Sequence, residues 1–337
     1  MKDICVDLLQ IRDSSFEIGV RTGRVIQNQP IVQTFKSITK PEIDYDNMKS
    51  IYSSFAPHLL EELDGLAHSI NLPTSKAAAL FSGYDVPRTE AMGCSALLTK
   101  DYYVRNYDFS PAFYDGIFSL LQPEKFLASA GYNLQILGRH DGVNEQGLVI
   151  GLHFVSNDGY RKGVSPWISV RMVLDMCSSV EEATSMLKEI PHAACYNFSL
   201  GDSRGNMAVV EASPENIMVR RDDFLTCVNH FQDDDLKDKN RNIIDGSLER
   251  NSYLHNLRET NLTQEEAFNE FKSKQSPLFF TDYDNLFGTL HTFSYSYQDS
   301  KILTAIAQSS QTLEVDFKEW VQGKNINVQR LKGSLEN

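Results

Sequence analysis

The sequence predicts an α+β protein in which two sheets are covered by helices. Three observations carry that expectation. Residues ahead of Cys94 are mostly helical in pattern, residues after it fall into short apolar runs separated by turn signals, and one helical stretch divides those runs into two series. Strands on both sides of a helical layer bury their apolar faces most simply as packed sheets with helices outside.

In chain order, residues 4–12 alternate as a strand does, and 14–29 read as a helix opening on Ser14 or Ser15. A serine hydroxyl there accepts an orphan N–H of the first turn. Gly19 and Gly23 lie on a polar helix and point to close helix packing, not to a membrane dimer. The helical pattern continues over 42–70 and 76–81. Strands follow at CSALLT, YYVRNYDF, NLQILGRH and GLVIGLHF, with NEQG turning between the last two. Asp141 with Gly142, and 144–147, read as turn chemistry.

A helical stretch, SPWISVRMVLDMCSSVEEATSMLKEIP, carries an S-x-x-E capping pattern from Ser179 to Glu182 and stops at Pro191. The second strand series is NFSLGD, MAVVEAS, NIMVRR and FLTCVNHF, joined by DSRGN and SPEN. Acidic residues 232–245 read as an exposed loop or helix start, and GTLHTFSYSY with KILTAIAQ as a last hairpin. Neither an internal repeat nor a low-complexity linker divides the chain, so one structural unit is expected.

Of 337 residues, 41% are hydrophobic and 23% charged, as in folded proteins. A net charge of −13 argues against nucleic-acid binding, which needs Lys and Arg for phosphate contacts, and against docking on an anionic membrane. Asp3 and Asp7 interrupt any apolar core of a signal peptide in MKDICVDLLQIRDSS. No run approaches the roughly 18 apolar residues of a membrane span.

Cys5, Cys94, Cys177, Cys195 and Cys227 are odd in number and form no CxxC pair. That favours free thiols in a reducing cytoplasm, where the sequons at Asn197 and Asn261 carry no glycan. Asp238, Asn240, Asn242 and Glu249 fall on ligand positions of a calcium loop, but Ile243 occupies the place of the required glycine. No metal and no organic cofactor is expected.

The segment MGCSALLTKDYYVRNYDFSP holds the chemistry. A nucleophilic cysteine needs a base, and no histidine is near Cys94 in sequence. Cutting the Gly93–Cys94 bond would supply one. The freed α-amine has a pKa of about 7.7–8.0, close to about 8.5 for a thiol, so it can take the thiol proton at little cost. Gly93 would permit the strained backbone such a cut requires. Strict alternation places Arg105 and Asp108 on opposite faces; the expectation is that the strand bends at NYD and turns both toward Cys94. Asp108 would then hold the amine and Arg105 favour the thiolate. Asn229, closing FLTCVNHF, is a candidate oxyanion donor. The other four cysteines are expected in the core.

GCS, RNYDF, DGVNEQGLVIGLHF, GDSRGNMAVVEASP, CVNHF and SLER, in that order, resemble the linear-amide C–N hydrolases. This family includes the choloylglycine (bile-salt) hydrolases, the penicillin V acylases and the self-cleaving acyl-CoA:6-aminopenicillanic acid acyltransferase. The likeness spans roughly residues 60–300. It implies the N-terminal nucleophile fold, a four-layer αββα sandwich, and a small acylated amide as substrate. By the same likeness Cys94 matches the nucleophile, Arg105 and Asp108 the R-N-x-D pair, Asn229 the oxyanion asparagine, and Arg250 of SLER the distal arginine. His153 stands in GLHF where the bile-salt hydrolases carry GLNF, so in this oxyanion region either a backbone N–H serves or the substrate differs.

Arg105 resembles the hydrolase branch, because the acyltransferase has glutamine there. The long lead with EELDGLAHSINLP resembles the acyltransferase branch, whose precursor is cut between Gly and Cys. The resemblance therefore implies a precursor that splits into a mostly helical segment, 1–93, and an αββα catalytic domain, 94–337, which stay packed together. The expected activity is amide hydrolysis through a thioester. Acyl transfer from acyl-CoA or an amide to an amine, and an uncleaved binding protein, are the alternatives. Relatives are often homo-oligomers.

Overall fold

The computed structural model describes residues 2–27, 29–86, 88, 93–285 and 287–336; residues 89–92, which lead into the expected cut, lie outside it. The chain opens with β1 (Lys2–Asp13) and five helices, α1 (Ser15–Ile26), α2 (Pro30–Ile38), α3 (Tyr45–Phe55), α4 (His58–Ser69) and α5 (Thr74–Phe81). Ser14 caps α1 by accepting from the Glu17 N–H, and Pro30 sits at the start of α2, where its missing N–H costs no bond.

Six strands follow: β2 (Gly93–Leu98), β3 (Tyr102–Phe109), β4 (Ile117–Pro123), β5 (Ser129–Leu134), β6 (Gly138–Asn144) and β7 (Val149–Ser156). The helical stretch is α6 (Pro166–Met176) and α7 (Val180–Glu189). After it come β8 (Cys195–Gly201), β9 (Met207–Ala212), β10 (Ile217–Arg220), β11 (Leu225–Cys227), α8 (Asp245–Asn256) and α9 (Gln264–Lys272). The chain continues through β12 (Thr281–Asp282), β13 (Phe287–Ser296), β14 (Lys301–Ile306), β15 (Leu313–Asp316), α10 (Phe317–Val321) and β16 (Arg330–Leu335).

One sheet has nine strands in the order β10-β9-β8-β7-β6-β5-β4-β1-β16; the other runs β11-β2-β3-β13-β14-β15, with β12 beside β13. Helices α6 and α7 pack on the first sheet and α8 and α9 on the second, while the sheets meet through β2 on β7 and β8, and β6 on β13. This is the four-layer αββα sandwich. The two strand series do not each make one sheet, however. β4 to β10 all enter the nine-stranded sheet, and β2 and β3 pair instead with β11 and β13. NLQILGRH is not a strand either: it holds the end of β5, a turn at 135–137 and the start of β6. β4 escapes sequence reading because it is buried along almost its whole length, so its faces do not alternate.

Segment 1–93 does more than cover the rest. β1 lies inside the nine-stranded sheet, parallel to β4 and antiparallel to β16. Its helices dock closely: a Cβ on Gly19 would come 1.9 Å from the Glu62 carbonyl oxygen, so α1 and α4 touch backbone to backbone. α4 is then tied to α6 by buried ion pairs. Glu62 Oε2 accepts from Arg171 Nη2 at 2.7 Å, and Asp175 Oδ2 accepts from Arg171 Nε at 2.6 Å and contacts His58 Nε2 at 2.9 Å. Replacing Glu62 with leucine would leave the Arg171 charge short of a partner in the interior. We expect a loss of about 3–5 kcal/mol in urea unfolding, whereas Glu61→Leu, beside it on α4 and less buried, should cost under about 1 kcal/mol.

Among the described residues no helix is long and apolar enough to cross a membrane.

Candidate active site

Cys94 and Arg105 come together because β2 and β3 pair antiparallel, with Cys94 opposite Tyr107 and Ala96 opposite Arg105. Residues opposite one another share a face, so Cys94, Arg105 and Tyr107 all point between the sheets. Arg105 Nη2 donates to Cys94 Sγ at 3.1 Å and to the Leu152 carbonyl at 2.5 Å, and Nη1 donates to Asp141 Oδ2 at 2.5 Å. Burial works against this guanidinium, but Cys94 and Asp141 outweigh it and keep it protonated.

The expected bend at NYD is absent. β3 stays regular, and Asp108, opposite Gly93, faces away from the sulfur toward the α8–α9 layer, as strict alternation requires. Its Oδ1 accepts from the Thr289 hydroxyl at 2.7 Å, while Oδ2 is buried with no hydrogen-bond partner among the described residues. Burial raises the Asp108 carboxyl to about 6, against the pull of Arg250 and Thr289. Gly93 shows no strain in the intact chain. It is an ordinary extended residue of β2, and it is glycine for space: a Cβ would come 2.5 Å from the Phe287 ring and 3.1 Å from Asp108 Cβ.

Two later elements grip the Cys94 backbone. Asn229 Oδ1 accepts from the Cys94 N–H at 2.8 Å and from Arg250 Nη2 at 2.9 Å, while its Nδ2 donates to the Phe154 carbonyl at 2.9 Å. Donors on one side and an acceptor on the other fix the amide orientation, so Asn229 turns its oxygen toward Cys94 and is not, in the intact chain, the oxyanion donor expected from the sequence. Arg250 Nη1 donates to the Cys94 carbonyl at 2.6 Å and to Ser95 Oγ at 2.8 Å. The SLER arginine is thus a wall of the site and not a solvated helix residue. His153, on β7, is fully buried, meets Ser199 Oγ at 2.9 Å through Nε2, and lies against the Cys94 backbone. Burial, with Arg105 and Arg250 adding, pushes its pKa well below the usual 6.5, so the ring is neutral.

The intact chain keeps its thiol dormant. Burial raises Cys94 to about 11, opposed by Arg105 and Arg250 and assisted by Asp108 and Asp141. Cys177, Cys195 and Cys227 are buried too, but Cys5 is exposed and not part of the core.

The sequence patterns missed Asp141. Far from capping a turn, it lies in β6, fully buried, against Arg105. The misleading signal was the Asp-Gly dipeptide. Beside it, the rings of His140 and Tyr107 meet at a tilt with centroids 3.9 Å apart, and neither the imidazole nitrogens nor the phenol finds a hydrogen-bond partner among the described residues. Aromatic rings lead outward from Tyr107 to Phe109 at 6.3 Å and on to Phe113 at 5.8 Å. They reach a cavity of about 370 Å³ whose lining includes Phe35 and Ile38 of α2, Phe109, Phe113, Leu134 and Trp167. Cys94 does not itself line that cavity.

Two sheets between helical layers are the fold of the N-terminal nucleophile class. The chain belongs to the acyl-coenzyme A:6-aminopenicillanic acid acyl-transferase family, whose model matches residues 97–311, more than half its length. It is an enzyme of amide hydrolysis or acyl transfer. The match starts beyond Cys94, so it does not by itself include the proposed nucleophile.

No curated protein matches the chain. Among solved structures it is similar to a mutant conjugated bile acid hydrolase from Clostridium perfringens, at 16% identity and TM-score 0.49, over 73% of this chain and 97% of that one. It is also similar to a penicillin V acylase from Agrobacterium tumefaciens, at 15% and 0.39 over 67% and 86% of the two chains. An N-acylethanolamine-hydrolyzing acid amidase ortholog from Caenorhabditis elegans matches at 12% and 0.42, over 61% and 95%. Likeness at these values carries nothing about substrate.

Proposed function

We propose that the protein is a cytoplasmic amidohydrolase that cuts its own Gly93–Cys94 bond and then uses the new N-terminal Cys94 to cleave a non-peptide amide of a small acylated substrate. The observation that carries this reading is the separate handling of one residue. Arg105 holds the Cys94 sulfur on the inner face, while Asn229 Oδ1 holds its nitrogen and the bare Oδ2 of Asp108 lies opposite Gly93 on the outer side.

In the first step Cys94 Sγ attacks the Gly93 carbonyl, the peptide C–N bond breaks, and the thiol proton passes to the freed amine. Water then hydrolyses the thioester, leaving a Gly93 carboxylate and a free thiol. In turnover the α-amine takes the thiol proton, the thiolate attacks the substrate carbonyl, and the oxyanion is met by neighbouring N–H groups, while Asn229, with its oxygen toward Cys94, orients the nucleophile's nitrogen. The ammonium returns its proton to the leaving nitrogen, the amine departs, and water releases the acid from the thioester. Asp108 keeps the ammonium in place, and Arg250 holds the carbonyl end of Cys94. No step calls for a metal or an organic cofactor. The apolar cavity beyond Phe109 suits an apolar acyl group.

The test is intact-mass analysis of purified protein. Two fragments meeting at 93/94 are expected from wild type and a single chain from Cys94→Ala; an uncut wild-type chain overturns the reading. The family match keeps acyl transfer as a second reading. Supplied with an acyl-CoA and an amine, a transferase yields the new amide with free CoA, whereas a hydrolase yields the free acid.

A further inference from the structure

Two irregularities in facing sheets meet at one point beside the nucleophile. In β6, Asp141 pairs with Tyr132 and Arg139 with Asn133, so His140 is an extra residue. In β13, Thr289 pairs with Asp108 and His291 with Tyr107, so Leu290 is extra. Each bulge puts residues two apart on opposite faces, where a regular strand would keep them together. Arg139 bonds the Ser119 and Gly131 carbonyls while Asp141 enters the gap, and Thr289 bonds Asp108 while His291 enters the gap from the other sheet.

There the two side chains join. His291 Nε2 lies 2.9 Å from Asp141 Oδ2, the same oxygen that receives Arg105, and His291 Nδ1 lies 2.8 Å from the Tyr114 hydroxyl. An ionised carboxylate only accepts, so Nε2 carries the proton and Nδ1 accepts from Tyr114. The ring is stacked on Tyr132 at 3.7 Å and 14°, which leaves it little freedom. Nothing in the proposed chemistry uses Asp141 or His291. Burying a carboxylate and an imidazole for stability alone is a poor exchange against an apolar core.

We propose that Asp141 and His291 are positioning residues whose task is to hold the Arg105 guanidinium on the Cys94 sulfur, with Tyr114 fixing the histidine tautomer. The inference rests on the reading of Cys94 as the nucleophile. Asp141 has two opposite influences on the thiol. Its own charge makes the thiol less acidic, and its grip keeps Arg105 where that cation makes the thiol more acidic. The other groups acting on the sulfur are Asp108 and Arg250, the new α-amine once the chain is cut, and the neutral side chains of Tyr107, Tyr196, Cys227 and His153.

The two influences give opposite results when Asp141 is removed. Alkylation of Cys94 by iodoacetamide, followed against pH by peptide mass spectrometry, reads the thiol directly and needs no substrate; exposed Cys5 serves as internal reference. If Asp141 positions Arg105, the Cys94 profile of Asp141→Asn moves up by roughly one pH unit or more. His291→Leu moves it the same way by less, and His291→Gln, which keeps an N–H toward Asp141, stays near wild type. A downward shift for Asp141→Asn means that Arg105 stays in place unaided and overturns the proposal. So do superimposable profiles, an inert thiol in all variants included. Should Asp141→Asn not fold, the two His291 variants decide, because equal profiles for leucine and glutamine overturn it as well. A protein that shows the upward shift but cleaves no amide sinks the proposed activity and leaves this inference standing.

Discussion

Cys94→Ala is expected to abolish both reactions: the chain stays whole on denaturing gels, and amide cleavage falls by roughly 10⁴-fold or more. The fold should survive, because the change removes one sulfur from a strand whose neighbours hold Cys94 by its backbone. Its N–H goes to Asn229 and its carbonyl to Arg250, and alanine keeps both bonds. A cooperative melting transition within a few degrees of the wild-type protein, together with lost activity, would place the defect in chemistry. Retained cleavage at 93/94 in this variant would mean that another nucleophile or a contaminating protease makes the cut.

Asp108→Asn should have the second largest effect, and it should act in opposite directions on activity and stability. Activity should fall by about 10²–10⁴-fold, since the amine loses the charge that keeps it in place. Stability follows from linkage. Burial raises the carboxyl from 3.8 to about 6, so the folded intact chain binds this proton more tightly than the unfolded chain does. The contribution to stability is therefore complete below 3.8 and lost as pH rises through about 6. At neutral pH the ionised form costs the uncut chain roughly 3 kcal/mol. In the uncleavable Cys94→Ala background, Asp108→Asn should thus raise stability by ~1–3 kcal/mol near neutrality, and the gain should shrink as pH is lowered toward 4. Urea unfolding at several pH values checks this. A loss at neutral pH would show that the carboxylate is already paired, leaving no role for a new ammonium. If the gain appears, the cut relieves a tension stored in the precursor.

The residues proposed to act through their own functional group were legible in the sequence. Cys94 after Gly93, Arg105 and Asp108 in RNYD, Asn229 at the end of a strand and Arg250 in SLER stand in recognisable order, and the structure gathers all five around one backbone segment. What stayed hidden depends on register. Asp141 and His291 reach the site only because His140 and Leu290 break the two-residue period, and no pattern in a single strand reports an extra residue opposite its neighbour. The direction of Asp108 shows the converse: strict alternation along β3 predicts it correctly, and nothing in the backbone there calls for a bend. Strand β4 and exposed Cys5 were misjudged because burial by neighbouring layers is a property of the assembled sheet.

The position of β1 has a bearing on what a cut at 93/94 could do. A nick severs one covalent link, but the shorter piece stays interlaced with the longer one, its strand seated between β4 and β16. Among the described residues β16 has no other strand partner in the sheet order. To depart, the shorter piece would have to unpick an inner row of hydrogen bonds and strip the closing strand of the strand it pairs with. The two halves should therefore melt in a single transition, travel together through any column that does not denature them, and find no folded resting form when made apart.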